Sequence, residues 1–230
     1  MEAYTIDPYK ISMNRFYKLT ASKHLIPSRV ALREMIEERF SILNNLGIEN
    51  LGELLKTLKS KQNLQAFVTK SGIPPAYLVL LKREAGSYLA RPFPLSDFPG
   101  IPFEYVEVLK SKEIRFTREF FELAQTLGQQ TDLSTQTGIP LARVQELFAL
   151  SDLSRITGIG GVFARIVYEA GVQSVEHFAL TSAADQFQKY MAIIKKYSYP
   201  AGHFAEEDIQ YCIDYAKVIL ECRNRVEPKN

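Results

Sequence analysis

Residues 153–179 read LSRITGIGGVFARIVYEAGVQSVEHFA, and this stretch decides the fold. The Gly158-Ile159-Gly160 bend supplies the backbone freedom of a tight turn, and the isoleucine between the glycines points inward. Ala164 and Val167 then lie three residues apart, the spacing of one helix face. The opening recurs three times upstream, as GIPPAYLVLL from Gly72, GIPFEYVEVL from Gly100 and GIPLARVQEL from Gly138. In each copy the residues six and nine places after the glycine are apolar: Leu78 and Leu81, Val106 and Leu109, Val144 and Leu147. Proline in the third position starts a helix, where a missing N–H costs nothing.

A second element alternates with the first. LGIENLGELL (46–55), KEIRFTREFF (112–121) and AGVQSVEHFA (170–179) each read as a helix end, an inward Ile or Val, a polar turn and a short helix. Gly47 and Gly171 serve as the stops, and Glu113 takes that place without a glycine. Residues 98–121 overlay 156–179 without a gap, and the unit from Gly72 overlays the one from Gly138. Short helical hairpins cannot bury an apolar face alone, so they are expected to stack. Strand signals are nearly absent; the one alternating stretch, Ile11 to Leu19, also fits a helix.

The expected fold is therefore all-α. Four segments follow: a basic N-terminal arm and first long helix (1–45), two hairpin pairs (46–126 and 127–180), and C-terminal helices closing the core (181–230). The first long helix is expected over Arg29 to Asn45, with Val30, Met35, Ile36, Phe40 and Leu43 on its inner face. YSYPAG (197–202) breaks the chain before an amphipathic last helix near 205–225, with Ile209, Cys212, Ile213, Ala216, Ile219 and Leu220 on one side. Glu206, Glu207 and Asp208 suit its positive N-terminal end.

The net charge of +2 conceals an imbalance. Residues 1–91 hold 14 Lys and Arg against 8 Asp and Glu, a surplus of six positive charges; residues 92–230 hold 14 against 18. The first ten residues lack the layout of a secretory signal, and no apolar run approaches the ~20 residues of a membrane span. Cys212 and Cys222 fall in one expected helix, about 15 Å apart by helical rise, too far to bridge. A cytoplasmic protein with reduced thiols and no membrane partner is expected.

The run 153–179 resembles the helix-hairpin-helix motif of DNA repair and replication proteins. The order of 46–180 is similar to domain of unknown function 4332, a bacterial family of tandem helix-hairpin-helix units, with Ser151-Asp152-Leu153-Ser154-Arg155-Ile156 ahead of Gly158-Ile159-Gly160. The resemblance implies tandem helix-hairpin-helix units and no settled activity. In DNA-binding relatives of the wider superfamily, the N–H groups of the Gly-hydrophobic-Gly turn face a phosphate at the positive end of the second helix. Carried onto this chain, Gly158, Ile159 and Gly160 fit, and Gly161 and Val162 complete the turn, with Arg155 and Arg165 as the nearby cations. Val162 stands where a Lys or Arg would add charge. Proline at 74, 102 and 140 removes an N–H from the other turns, and Glu104 sits where a cation would help. The same bends also serve simply to pack two helices.

A separate candidate lies in the basic half: Lys56, Lys59, Lys61, Lys70, Lys82 and Arg83, among Phe67 and Tyr77. Such residues neutralise phosphates in a salt-sensitive, sequence-independent way, and aromatics among them could stack on unpaired bases. The plain alternative is lysines on solvated helix faces with the aromatics beneath. Three histidines at 24, 177 and 203 form no metal-ligand spacing, and no phosphate loop or nucleophile motif occurs. We therefore expect no enzyme activity, no cofactor, no metal and no small-molecule substrate. The expected function is non-catalytic binding of a DNA or RNA backbone; the alternative is a scaffold for another protein.

Overall fold

A computed structural model describes residues 2–224. These residues form thirteen α-helices and three short 3-10 turns, with no strand among them. Two compact units divide the described chain: residues 6–89 with 221–224, and residues 2–5 with 90–220. No helix among the described residues is long and apolar enough to cross a membrane.

The first of these units carries α1 (Met13–Ser22), α2 (Ile36–Asn45), α3 (Leu51–Thr57), α4 (Lys61–Ser71) and α5 (Pro75–Gly86). Phe16, Phe40, Leu43, Leu51, Leu54, Leu58, Leu78 and Leu81 are buried in it. The ring of Phe16 tilts against Phe40 at 5.7 Å and meets Tyr88 edge-on at 5.9 Å. Glu84 is fully buried, and Lys23 reaches it at 2.6 Å while Arg29 also pairs with it. Burial alone would raise the Glu84 carboxyl, but Lys23 and Arg29 outweigh it and hold the group below its ordinary range.

The helix expected over Arg29 to Asn45 is not continuous. Pro27–Arg33 is a 3-10 turn, and Met35 then adopts a left-handed conformation (φ 49°) before α2 begins. The kink turns Val30 and Met35 outward, 49% and 57% exposed, and puts Leu32 inside instead. Of the stretch Ile11 to Leu19, the residues from Met13 on are helix, while Ile11 and Ser12 are extended; Ser12 caps α1 by accepting from the Arg15 N–H at 3.2 Å.

The other unit carries α6 (Phe103–Ser111), α7 (Thr117–Leu123), α8 (Leu127–Thr137), α9 (Leu141–Leu153), α10 (Gly161–Glu169), α11 (Val175–Ala179), α12 (Ala183–Tyr197) and the body of α13 (Glu206–Asn224). Here α9 is central, packing on α7, α8, α10 and α11. Its residues from Ala149 to Leu153 are all buried. The last helix is buried more widely than one stripe, because Tyr211, Tyr215 and Val218 join Ile209, Cys212, Ile213, Ala216 and Ile219 inside.

The glycines at 72, 100, 138 and 158 all take positive φ, from 69° to 94°. The isoleucine after each is buried in three copies and half-buried at Ile101. The second element is equally regular. Gly47, Glu113 and Gly171 are left-handed, Ile48, Ile114 and Val172 are buried, and short helices start at 51, 117 and 175. Glu113 (φ 64°) accomplishes the turn as a non-glycine.

Candidate nucleic-acid interface

Lys56, Lys59, Lys61 and Lys82 come together where α3 gives way to α4. Asn50 caps the start of α3 and Ser60 the start of α4, so the intervening chain is short. Buried Leu58 anchors it. Lys56 lies in the last turn of α3, Lys59 in the connection, and Lys61 at the first position of α4. α5 packs on both helices, and the Lys82 ammonium donates to the Lys59 carbonyl at 2.8 Å. Lys56, Lys59 and Lys61 are exposed, and none pairs with a carboxylate among the described residues. Arg83 is exposed beside Lys82. Lys70 is set apart at the far end of α4, about 13 Å of helical rise from Lys61.

Two aromatics expected among these charges are not available to a ligand. Phe67 is buried, and so is Tyr77, whose hydroxyl donates to the Leu32 carbonyl at 3.0 Å. The Arg39 guanidinium covers the Tyr77 ring at 4.1 Å. The nearest carboxylate to the cluster in sequence, Glu53, accepts from the Glu49 N–H at 2.7 Å.

The turn from Gly158 to Val162 is built differently. Gly158 (φ 94°) and Gly160 are exposed, Ile159 is buried, and Gly161 and Val162 are half-buried. Gly160 caps α10 with no side chain to serve its first N–H groups. The Asp97 carbonyl closes on Gly161, where any side chain would collide with it. On the other side of the turn, the Cys212 thiol donates to the Thr157 carbonyl at 3.3 Å. Burial, with a smaller push from Asp208, raises that thiol to about 12, so it stays protonated.

No cation reaches this turn from the two expected arginines, because both are buried. Arg155 binds Asp152 at 2.7 Å, pairs with Glu2, donates to the Tyr4 carbonyl at 3.0 Å and lies 4.4 Å from the Phe121 ring centre. Asp152 in turn accepts from the Val175 N–H at 2.8 Å, so the Ser-Asp-Leu-Ser-Arg-Ile run ties the N-terminal residues and α11 to α9. Arg165 pairs with Glu146, approaches Glu169 at 3.6 Å and donates to the Pro99 carbonyl at 2.8 Å. Pro74, Pro102 and Pro140 occupy the positions ahead of α5, α6 and α9, and Glu104 stands exposed in the first turn of α6.

The burial of the carboxylates Glu84 and Glu146 is barely visible in the sequence. Their only trace is an acid within a run of apolar helix positions, as Glu146 is between Val144 and Leu147. Among the described residues no group of three His, Cys, Asp or Glu side chains could hold a metal ion.

The sequence model of one family, Domain of unknown function (DUF4332), matches residues 99–218. That span is a little over half the chain and lies further toward the C-terminus than the 46–180 over which the resemblance is read from motifs. It falls inside the unit of α6 to α13, and the lysine cluster lies outside it. No curated protein and no solved structure matches the chain.

Proposed function

Since the chain belongs to the family of Domain of unknown function (DUF4332), whose description carries no activity, we propose a role from its own surface: non-catalytic binding of a nucleic-acid backbone without sequence preference. The observation that carries this reading is the gathering of Lys56, Lys59, Lys61 and Lys82 around the α3–α4 connection, three of them exposed and without carboxylate partners among the described residues. Four cations on one short span offer several points of contact to the successive charges of a phosphate backbone. Lys70 and Arg83 extend the charge along α4 and α5.

The repeated left-handed glycines and inward isoleucines support reading the hairpins as tandem helix-hairpin-helix units. In that arrangement the Gly158–Val162 turn contributes backbone N–H groups without help from Arg155 or Arg165. The buried thiols of Cys212 and Cys222 suit a reducing cytoplasm.

Reversing Lys56, Lys59 and Lys61 to glutamate tests the reading. Retention of a labelled duplex at low salt should fall by at least tenfold, while reversal of exposed Lys112 and Lys195 in the other unit leaves it unchanged. Equal retention by both sets would remove the lysine cluster from the account.

A scaffold for another protein is the second reading. It is favoured by Phe103 at 74% and Leu180 at 85% exposure, large apolar side chains that burial in a complex would stabilise. It predicts a co-purifying polypeptide and no effect of the lysine reversals on nucleic-acid retention.

A further inference from the structure

Tyr9 stands out among the exposed aromatic side chains because something holds it flat. A Cβ built on Gly52 would lie 2.7 Å from Cδ1, Cδ2 and Cε1 of the Tyr9 ring alike. Atoms from both edges of a ring can be equidistant from one point only if that point lies over the ring face. The ring therefore lies face-on against α3, in a space that exists because residue 52 has no side chain. More than half of the residue remains exposed, at 55%.

The backbone fixes this placement at several points. Asp7 accepts from the Tyr9 N–H at 3.0 Å, and the 3-10 turn Pro8–Lys10 closes through the Ile11 N–H to the Pro8 carbonyl at 3.3 Å. The chain is then clamped to the start of α3, where the Leu51 N–H donates to the Ile11 carbonyl at 2.9 Å and the Met13 N–H to the Glu49 carbonyl at 2.8 Å. A tyrosine kept in one orientation before any ligand arrives loses little freedom on binding.

Lys56 follows Gly52 by four residues, so it occupies the same face of α3 one turn along. Helical side chains lean toward the N-terminus, which inclines Lys56 toward the ring. Of the nearby carboxylates, Asp7 and Glu53 both accept backbone N–H groups. A flat aromatic face beside a cation is the arrangement that receives an unpaired base and its phosphate together.

We infer that the Tyr9 ring, laid on Gly52 beside Lys56, is a stacking platform for one unpaired base of a single-stranded nucleic acid. The inference rests on the phosphate-binding reading above and adds a preference for single strands bearing bases. A ring that merely covered Gly52 could be replaced by any apolar side chain of similar size. Stacking requires the aromatic face.

The test uses the full chain and three labelled probes of equal length: a single-stranded oligodeoxynucleotide, the same strand without bases, and a duplex. The natural chain should bind the base-bearing strand about tenfold more tightly than the abasic one. Tyr9→Leu should abolish that difference, Tyr9→Phe should keep it, and neither should change duplex affinity. Photocross-linking of the unaltered chain to a strand carrying 5-bromouracil should map to Tyr9, a readout independent of how any variant folds. Equal binding of base-bearing and abasic strands, a preference that survives Tyr9→Leu, or a cross-link map lacking Tyr9 would overturn the stacking platform while leaving the phosphate reading in place. Failure of all three probes to bind would remove the phosphate reading and the platform with it.

Discussion

The sulfur of Cys212 stands 2.8 Å from where a side-chain carbon on Gly158 would have to sit. The bend that opens α10 is thus closed on one side by α13, and it also needs a left-handed backbone (φ 94°). Gly158→Ala should cost about 2–4 kcal/mol, combining the left-handed penalty with overpacking. Gly138 has the same handedness (φ 72°) but nothing within 4 Å of the equivalent carbon. Gly138→Ala should therefore cost only about 1 kcal/mol. Chemical denaturation of the two variants checks the difference; equal losses would mean that Cys212 does not press on the bend.

Glu84 should make the unit of α1 to α5 acid-sensitive. Its folded carboxyl lies below the unfolded value of 4.5, so it stabilises the unit above that value and the contribution is lost as pH falls through the folded one. Glu84→Gln should flatten the pH dependence below 4.5. At pH 7 it should destabilise by about 3–5 kcal/mol, because buried Lys23 loses its carboxylate. Thermal melts from pH 3 to 7 would show both effects, and an unchanged slope for the variant would contradict them.

Thiol chemistry offers a third check. With Cys212 raised to about 12 and buried, its thiolate is scarce at pH 8, and Cys222 is buried as well. Both should react with a disulfide reagent at least a hundredfold more slowly in the native chain than after denaturation. Rapid native labelling of Cys212 would show that α13 opens away from the Gly158 bend.

Much of this architecture is written in local pattern. A glycine, an inward isoleucine and an apolar pair six and nine places on are adjacent in sequence, so the bends at 72, 100, 138 and 158 and the stop at Glu113 can be read directly. The break at Met35 could not be read so, because no glycine or proline marks it and the burial of Leu32 beside it is a tertiary effect. The arginines mislead for a related reason. Arg155 looks like a cation beside a phosphate turn until Glu2, 153 residues away, is seen to pair with it. The Tyr9 platform depends likewise on a contact with Gly52 that no periodicity announces, whereas the exposed lysines at 56, 59 and 61 are surface residues whose clustering follows from a short helix–helix connection.

The salt dependence of binding to a labelled duplex tests the central claim most directly. Three or four lysines engaged with phosphates should give log Kobs falling with log salt at a slope of about −3. Affinity that does not vary with salt, or no affinity at the lowest salt, would contradict the claim that this basic surface holds a nucleic-acid backbone.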